Sequence, residues 1–67
     1  MPARTIPLNS SAITTISYDP DTEDLVVTFV NGRSYTHPGV PQDVVDGFMA
    51  APSPGSYYNA VVRGVYG

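Results

Sequence analysis

Asp24-Leu-Val-Val-Thr-Phe-Val-Asn-Gly-Arg-Ser-Tyr-Thr-His37 is the stretch that decides the fold. An alternating apolar run enters Asn31-Gly32 and a second run leaves it, the strongest short-range hairpin signal a sequence carries. A two-residue Asn-Gly loop would set Phe29 opposite Ser34 and leave Tyr35 on the face away from Leu25, Val27 and Phe29. A three-residue loop, Val30-Asn31-Gly32 with Gly32 left-handed in a bulge, shifts the pairing by one. Leu25, Val27, Phe29, Tyr35 and His37 then share one face. A one-residue slip moves a whole apolar set between core and water, so the register that gathers the large side chains is expected.

Working outward, Ser11 to Tyr18 is rich in β-branched residues and reads as a strand. Ile16 and Tyr18 share a face that Ile13 misses, so a bulge near Thr14 is expected. Asp19-Pro20-Asp21-Thr22 reads as the turn into the hairpin. Asp19, Asp21, Glu23 and Asp24 lie close together. A calcium loop of the EF-hand type also needs glycine at its sixth position and glutamate at its twelfth, where this chain has Asp24 and Val30. The acids are read as a solvated turn. Residues 1–10 contain Pro2 and Pro7 without periodicity and read as an extended arm, with exchange between subunits as the functional alternative.

Pro38-Gly39-Val40-Pro41 breaks the chain. Pro41 is placed at the first position of a helix, with Gln42 and Asp43 in its acid-favouring first turn. Val44, Val45, Phe48 and Met49 form its apolar stripe, and Pro52 ends it. Gly47 inside this helix costs about 1 kcal/mol relative to alanine. A close neighbour, such as the sheet, is the expected reason. Ser53-Pro54 opens a second helix, serine capping and proline first. Tyr58, Val61, Val62 and Val65 have helical spacing, Gly64 is placed to stop the helix, and Arg63 complements its negative end. The expected fold is α+β: a small antiparallel three-stranded meander sheet followed by two short helices, forming one domain over residues 11–67.

Composition bounds the function. Sixty-seven residues make one domain, marginally stable alone, and no cysteine is present to staple it. Self-association into a homo-oligomer is therefore expected. The net charge is −3, and Arg4, Arg33 and Arg63 are the only basic side chains. Long nucleic acids need a basic patch, so a polymer is not the expected partner. No apolar run approaches membrane-spanning length and the start does not read as a signal peptide, which makes the cytoplasm the expected location.

No catalytic set is legible. His37 is the only histidine, a zinc site needs three or four ligands, and there is no nucleophile elbow, glycine-rich dinucleotide motif or Walker motif. No enzyme, metal or cofactor is expected. The tyrosines carry more information. Each is first a core residue with its hydroxyl reaching water. One or two at a groove could stack on a ring while an arginine holds a phosphate. Tyr35, His37, Tyr57, Tyr58, Asn59, Arg63 and Tyr66 are the candidate ligand-binding residues.

The pattern Ser11-Ala12-Ile13, Ile16, Tyr18-Asp19, Leu25, Val27, Phe29, Gly32, Tyr35 resembles the KTSC domain. Val40-Pro41 and Ser53-x-Gly55-x-Tyr57-Tyr58-Asn59, with Arg63 and Tyr66 after it, extend the likeness over nearly the whole chain from Ser10. That family takes its name from the C-terminus of some lysyl-tRNA synthetases and includes stand-alone bacterial and phage members. The resemblance implies a small self-contained module and no enzyme. His37 stands where the family often has an aromatic residue, and Ala12 where it often has asparagine. The expected function is a non-catalytic module that self-associates and holds a small anionic ligand such as a cyclic nucleotide. A phage sponge for a host defence signal would fit. A protein-interaction module and an RNA-associated accessory domain are the alternatives.

Overall fold

The computed structural model describes residues 4–66. Four antiparallel strands form one sheet in the order β1-β2-β3-β4: β1 Arg4–Pro7, β2 Ile13–Asp19, β3 Asp24–Phe29 and β4 Ser34–His37. The sheet therefore has one strand more than the expected meander. The extra strand comes from the segment read as an arm, which pairs along β2 from Arg4↔Tyr18 to Pro7↔Thr15. Two prolines hid it: a strand at the rim tolerates a proline whose missing N–H would face outward.

The hairpin adopts the three-residue loop. Leu25 pairs with His37 and Val27 with Tyr35, and Phe29 N–H donates to Arg33 C=O (2.8 Å). Gly32 sits at φ +89°, and Gly32 N–H closes the turn on Phe29 C=O (2.9 Å). Asn31 Oδ1 accepts from Arg33 N–H (3.0 Å). The expected bulge is present as well. Ile13 pairs with Phe29 but Thr15 with Thr28, so Thr14 is the extra residue and Ile13 returns to the face of Ile16 and Tyr18. The acidic turn is closed by Glu23 N–H donating to Asp19 C=O (2.7 Å) and Asp21 N–H to Asp19 Oδ1 (2.9 Å).

Helix α1 spans Gln42–Ala50. Pro41 precedes it in extended conformation rather than occupying its first position. Val45 and Phe48 are buried, Val44 is half-buried and Met49 is 53% exposed, so the stripe is narrower than its spacing suggested. Ala51 turns extended, as a residue before proline prefers. Helix α2, Pro54–Tyr57, continues without a break into a π-helical segment, Tyr58–Arg63. Ser53 makes no capping bond; its hydroxyl donates to Ser56 Oγ (3.2 Å). Gly64 follows the segment in right-handed conformation, so it ends the helix without a left-handed cap.

The helices cover one face of the sheet. Ile13, Ile16, Tyr18, Leu25 and Val27 meet Val40, Val45, Phe48, Tyr58 and Val62 in a single core. Tyr18 hydroxyl donates to Val40 C=O (2.6 Å), tying the breaker loop to β2. No helix among the described residues is long and apolar enough to cross a membrane.

Candidate functional site

The hairpin and the π-helical segment form the two walls of a cleft of about 440 Å³, lined by Phe29, Asn31, Tyr35, His37, Tyr58, Asn59 and Arg63. β3 and β4 deliver Phe29, Tyr35 and His37 because the three-residue loop puts all three on the helix side of the sheet. The segment Tyr58–Arg63 delivers the rest. Within it Tyr58 and Val62 point into the core, while Asn59 and Arg63, one turn apart, both reach the cleft. Val65, the last member of the expected stripe, lies in the turn beyond this segment and is 68% exposed. π-turns are rare and concentrate at functional sites.

The floor is aromatic. Phe29 meets Tyr58 and Tyr35 edge-to-face, with centroids 5.1 and 5.7 Å away. His37 and Tyr58 are both buried, and His37 Nε2 and Tyr58 hydroxyl share a 2.8 Å hydrogen bond whose donor is set by the imidazole tautomer. Burial pushes the Tyr58 hydroxyl above the ordinary tyrosine range. Arg63 pulls it back, and Tyr35 adds to the rise.

The rim is polar and open. Tyr35 is 46% exposed. Arg63, Asn59 and the Tyr35 hydroxyl have no hydrogen-bond or ion-pair partner among the described residues. The chain has six acids and three arginines, yet the cleft holds one arginine and no carboxylate. It is an electropositive spot on an acidic protein, with aromatic faces and an amide beside it. A second hollow, about 640 Å³, lies between β1 and α1. Arg4 and Asp46 both line it, so it selects no sign of charge. Among the described residues, no three histidine or acidic side chains gather as a metal site.

Five of the seven residues singled out in the sequence line this cleft: Tyr35, His37, Tyr58, Asn59 and Arg63. Tyr57 and Tyr66 do not. Tyr57 lies against α1, with its ring on Phe48 (4.7 Å) and its hydroxyl donating to Val44 C=O (2.8 Å). Tyr66 is half-buried against the core and donates its N–H to Val62 C=O (2.7 Å). Phe29 and Asn31 were not foreseen as lining residues. Phe29 reads in the sequence as core and Asn31 as turn, and both line the cleft at the end of the hairpin.

Comparison with known proteins is consistent with this architecture. The family model of the KTSC domain matches residues 9–66. A protein of Tsukamurella paurometabola is 39% identical over 57 residues, covering 85% of each chain. One from Stutzerimonas stutzeri is 34% identical over 58 residues, covering 87% of this chain and 82% of that one. The crystal structure of a KTSC domain protein from Yersinia pestis superposes with a TM-score of 0.89 at 34% identity, over 96% of this chain and 90% of that one. Sequence and fold thus agree over all but the chain's first residues, and this protein belongs to the KTSC domain family.

Proposed function

We propose that the cleft binds a small anionic ligand carrying a flat ring, a nucleotide or cyclic nucleotide, and that the protein holds this ligand without transforming it. The observation that supports the reading is Arg63: an arginine without a hydrogen-bond or ion-pair partner among the described residues, in a cleft lined by no carboxylate side chain, on a chain of net charge −3. A guanidinium presents a fork of donors that matches phosphate. The exposed Tyr35 ring offers a stacking face, worth about 1–3 kcal/mol per base in such sites. Asn59 offers a donor and an acceptor to a base edge. The volume suits one nucleotide rather than a polymer.

The surroundings of the imidazole support binding without turnover. His37, the one histidine, is buried and bonded to Tyr58, and no serine or acid lines the cleft beside it. Holding a nucleotide signal out of circulation is the role such a module fills, and a phage encoding one would blunt a host defence that uses such signals.

Calorimetry against nucleoside monophosphates and cyclic mono- and dinucleotides tests the reading. Heat is expected for at least one of them. Arg63→Ala should weaken binding by about 10- to 100-fold, the loss of a charged hydrogen bond. Chromatography should recover the nucleotide unchanged. Absence of heat at high micromolar protein across the panel, or conversion of the nucleotide, overturns it.

A further inference from the structure

We infer that the outer edge of β4 is where two copies of this chain join, strand beside antiparallel strand about a twofold axis at Tyr35. The inference starts from hydrogen-bond parity. Phe29 and Arg33 form a bonded pair, so Tyr35 and His37 also turn their backbone groups to β3. Ser34 and Thr36 turn theirs the other way, beyond the last strand of the sheet. Ser34, Tyr35 and Thr36 are all exposed, so nothing among the described residues covers this edge. Such an edge is a template for another strand.

The opposite rim is not equivalent. Leu8 N–H donates to Thr14 C=O (3.0 Å), which by the same parity leaves Thr5 and Pro7 facing outward on β1. Pro7 has no N–H to give. Proline on an outward position blunts an edge. The sheet is therefore open to extension at β4 and closed at β1.

Charge selects the occupant and its direction. Arg33 stands at the hairpin tip, while Asp19, Asp21, Glu23 and Asp24 cluster at the other end of the sheet. Antiparallel pairing about Tyr35 sets Ser34 opposite the partner's Thr36, with four backbone hydrogen bonds in all. It also sets the basic hairpin tip of each copy, Arg33, beside the acidic end of the other's sheet. A second copy supplies this complement twice; parallel pairing would set arginine beside arginine. β4 itself carries no charge to resist close approach. The axis then brings the partner's Tyr35 to the mouth of each cleft, about 4.5 Å away between Cα atoms. Only that last consequence rests on the ligand reading; the pairing stands without it.

Sedimentation velocity and light scattering on the full chain without ligand, over a range of concentration and salt, test the pairing. The wild type is expected to form a dimer that weakens as salt rises. Thr36→Pro removes an outward N–H that no bond within the chain uses, and should give monomer with an unchanged circular dichroism spectrum. Arg33→Glu, outside the cleft lining, should raise the dimer dissociation constant by about tenfold or more and reverse the sign of the salt dependence. A monomeric wild type, or a dimer that both variants leave intact, overturns the inference. If Thr36→Pro fails to fold, Arg33→Glu decides. Nucleotide titration of the same samples reports on the ligand reading separately.

Discussion

Gly47 shows how one missing side chain shapes the helical layer. A Cβ built there would collide with the hydroxyl and ring of Tyr57. Helix propensity alone would favour alanine by about 1 kcal/mol. We expect the opposite: Gly47→Ala should destabilise by about 1–3 kcal/mol, because an aromatic ring wedged between two helices has no room to move. Thermal unfolding checks the sign, and Tyr57→Ala in the same chain should remove most of the loss, since the two sites share the contact. At Glu23 a non-glycine residue holds a left-handed conformation at φ 60° among other acids. Glu23→Gly should therefore raise stability by a few tenths to about 1 kcal/mol, and an unchanged or lower melting temperature would contradict that account.

His37 Nε2 and the Tyr58 hydroxyl answer each other in the core. Tyr58→Phe leaves the imidazole Nε2 buried without a partner, which costs about 1–3 kcal/mol. The double variant His37→Phe, Tyr58→Phe should lose less than the sum of the single losses. A chemical-denaturation cycle measures the difference.

At the scale of elements, the hairpin organises the rest through its register. Gly32 at φ +89° is open on all sides, so a side chain there meets no clash and only the backbone conformation matters. Gly32→Val should cost about 1–2 kcal/mol and Gly32→Asn clearly less, because asparagine tolerates the left-handed region. Equal costs would mean that the loop is not the bulged three-residue type. The same loop sends Tyr35 and His37 to the helix side, and the π-helical segment meets them there. Tyr58, Asn59 and Arg63 line one cleft there, Asn59 and Arg63 being one turn apart on the segment.

For the whole molecule, the buried tyrosines predict alkaline sensitivity. Burial raises the ionisation of Tyr18, Tyr57 and Tyr58 above the ordinary value; Glu23, Asp19 and Asp46 add to the rise at Tyr18 and Tyr66 adds to it at Tyr57. At Tyr58, Arg63 acts against burial and Tyr35 with it. The unfolded chain releases these protons near pH 10, while the folded chain still holds them. Stability is thus full below that pH and falls as pH rises from there through the folded values. Each tyrosine contributes a slope of up to about 1.4 kcal/mol per pH unit. Melting temperatures should be level up to about pH 9 and then drop, less steeply for Tyr57→Phe. A curve that stays level past pH 11 would contradict the burial of these hydroxyls.

How much of this molecule was readable in advance follows the range of the interactions involved. The hairpin, its bulged loop, the bulge at Thr14, the helix over Gln42–Ala50 and the family pattern depend on alternation, turn chemistry and breaker residues, all of them local, and sequence alone determined them. It also determined that the chain has three arginines, no lysine and no cysteine. Tertiary structure decided the rest. Arg4–Pro7 became a strand because β2 had an unpaired edge, a fact of assembly invisible beside two prolines. Tyr57 and Tyr58 are adjacent in sequence, yet one packs on α1 and the other floors the cleft, because α1 and the sheet meet this helix on different sides. Local rules state which residues can face together; only the packing of one element on another states which of them do.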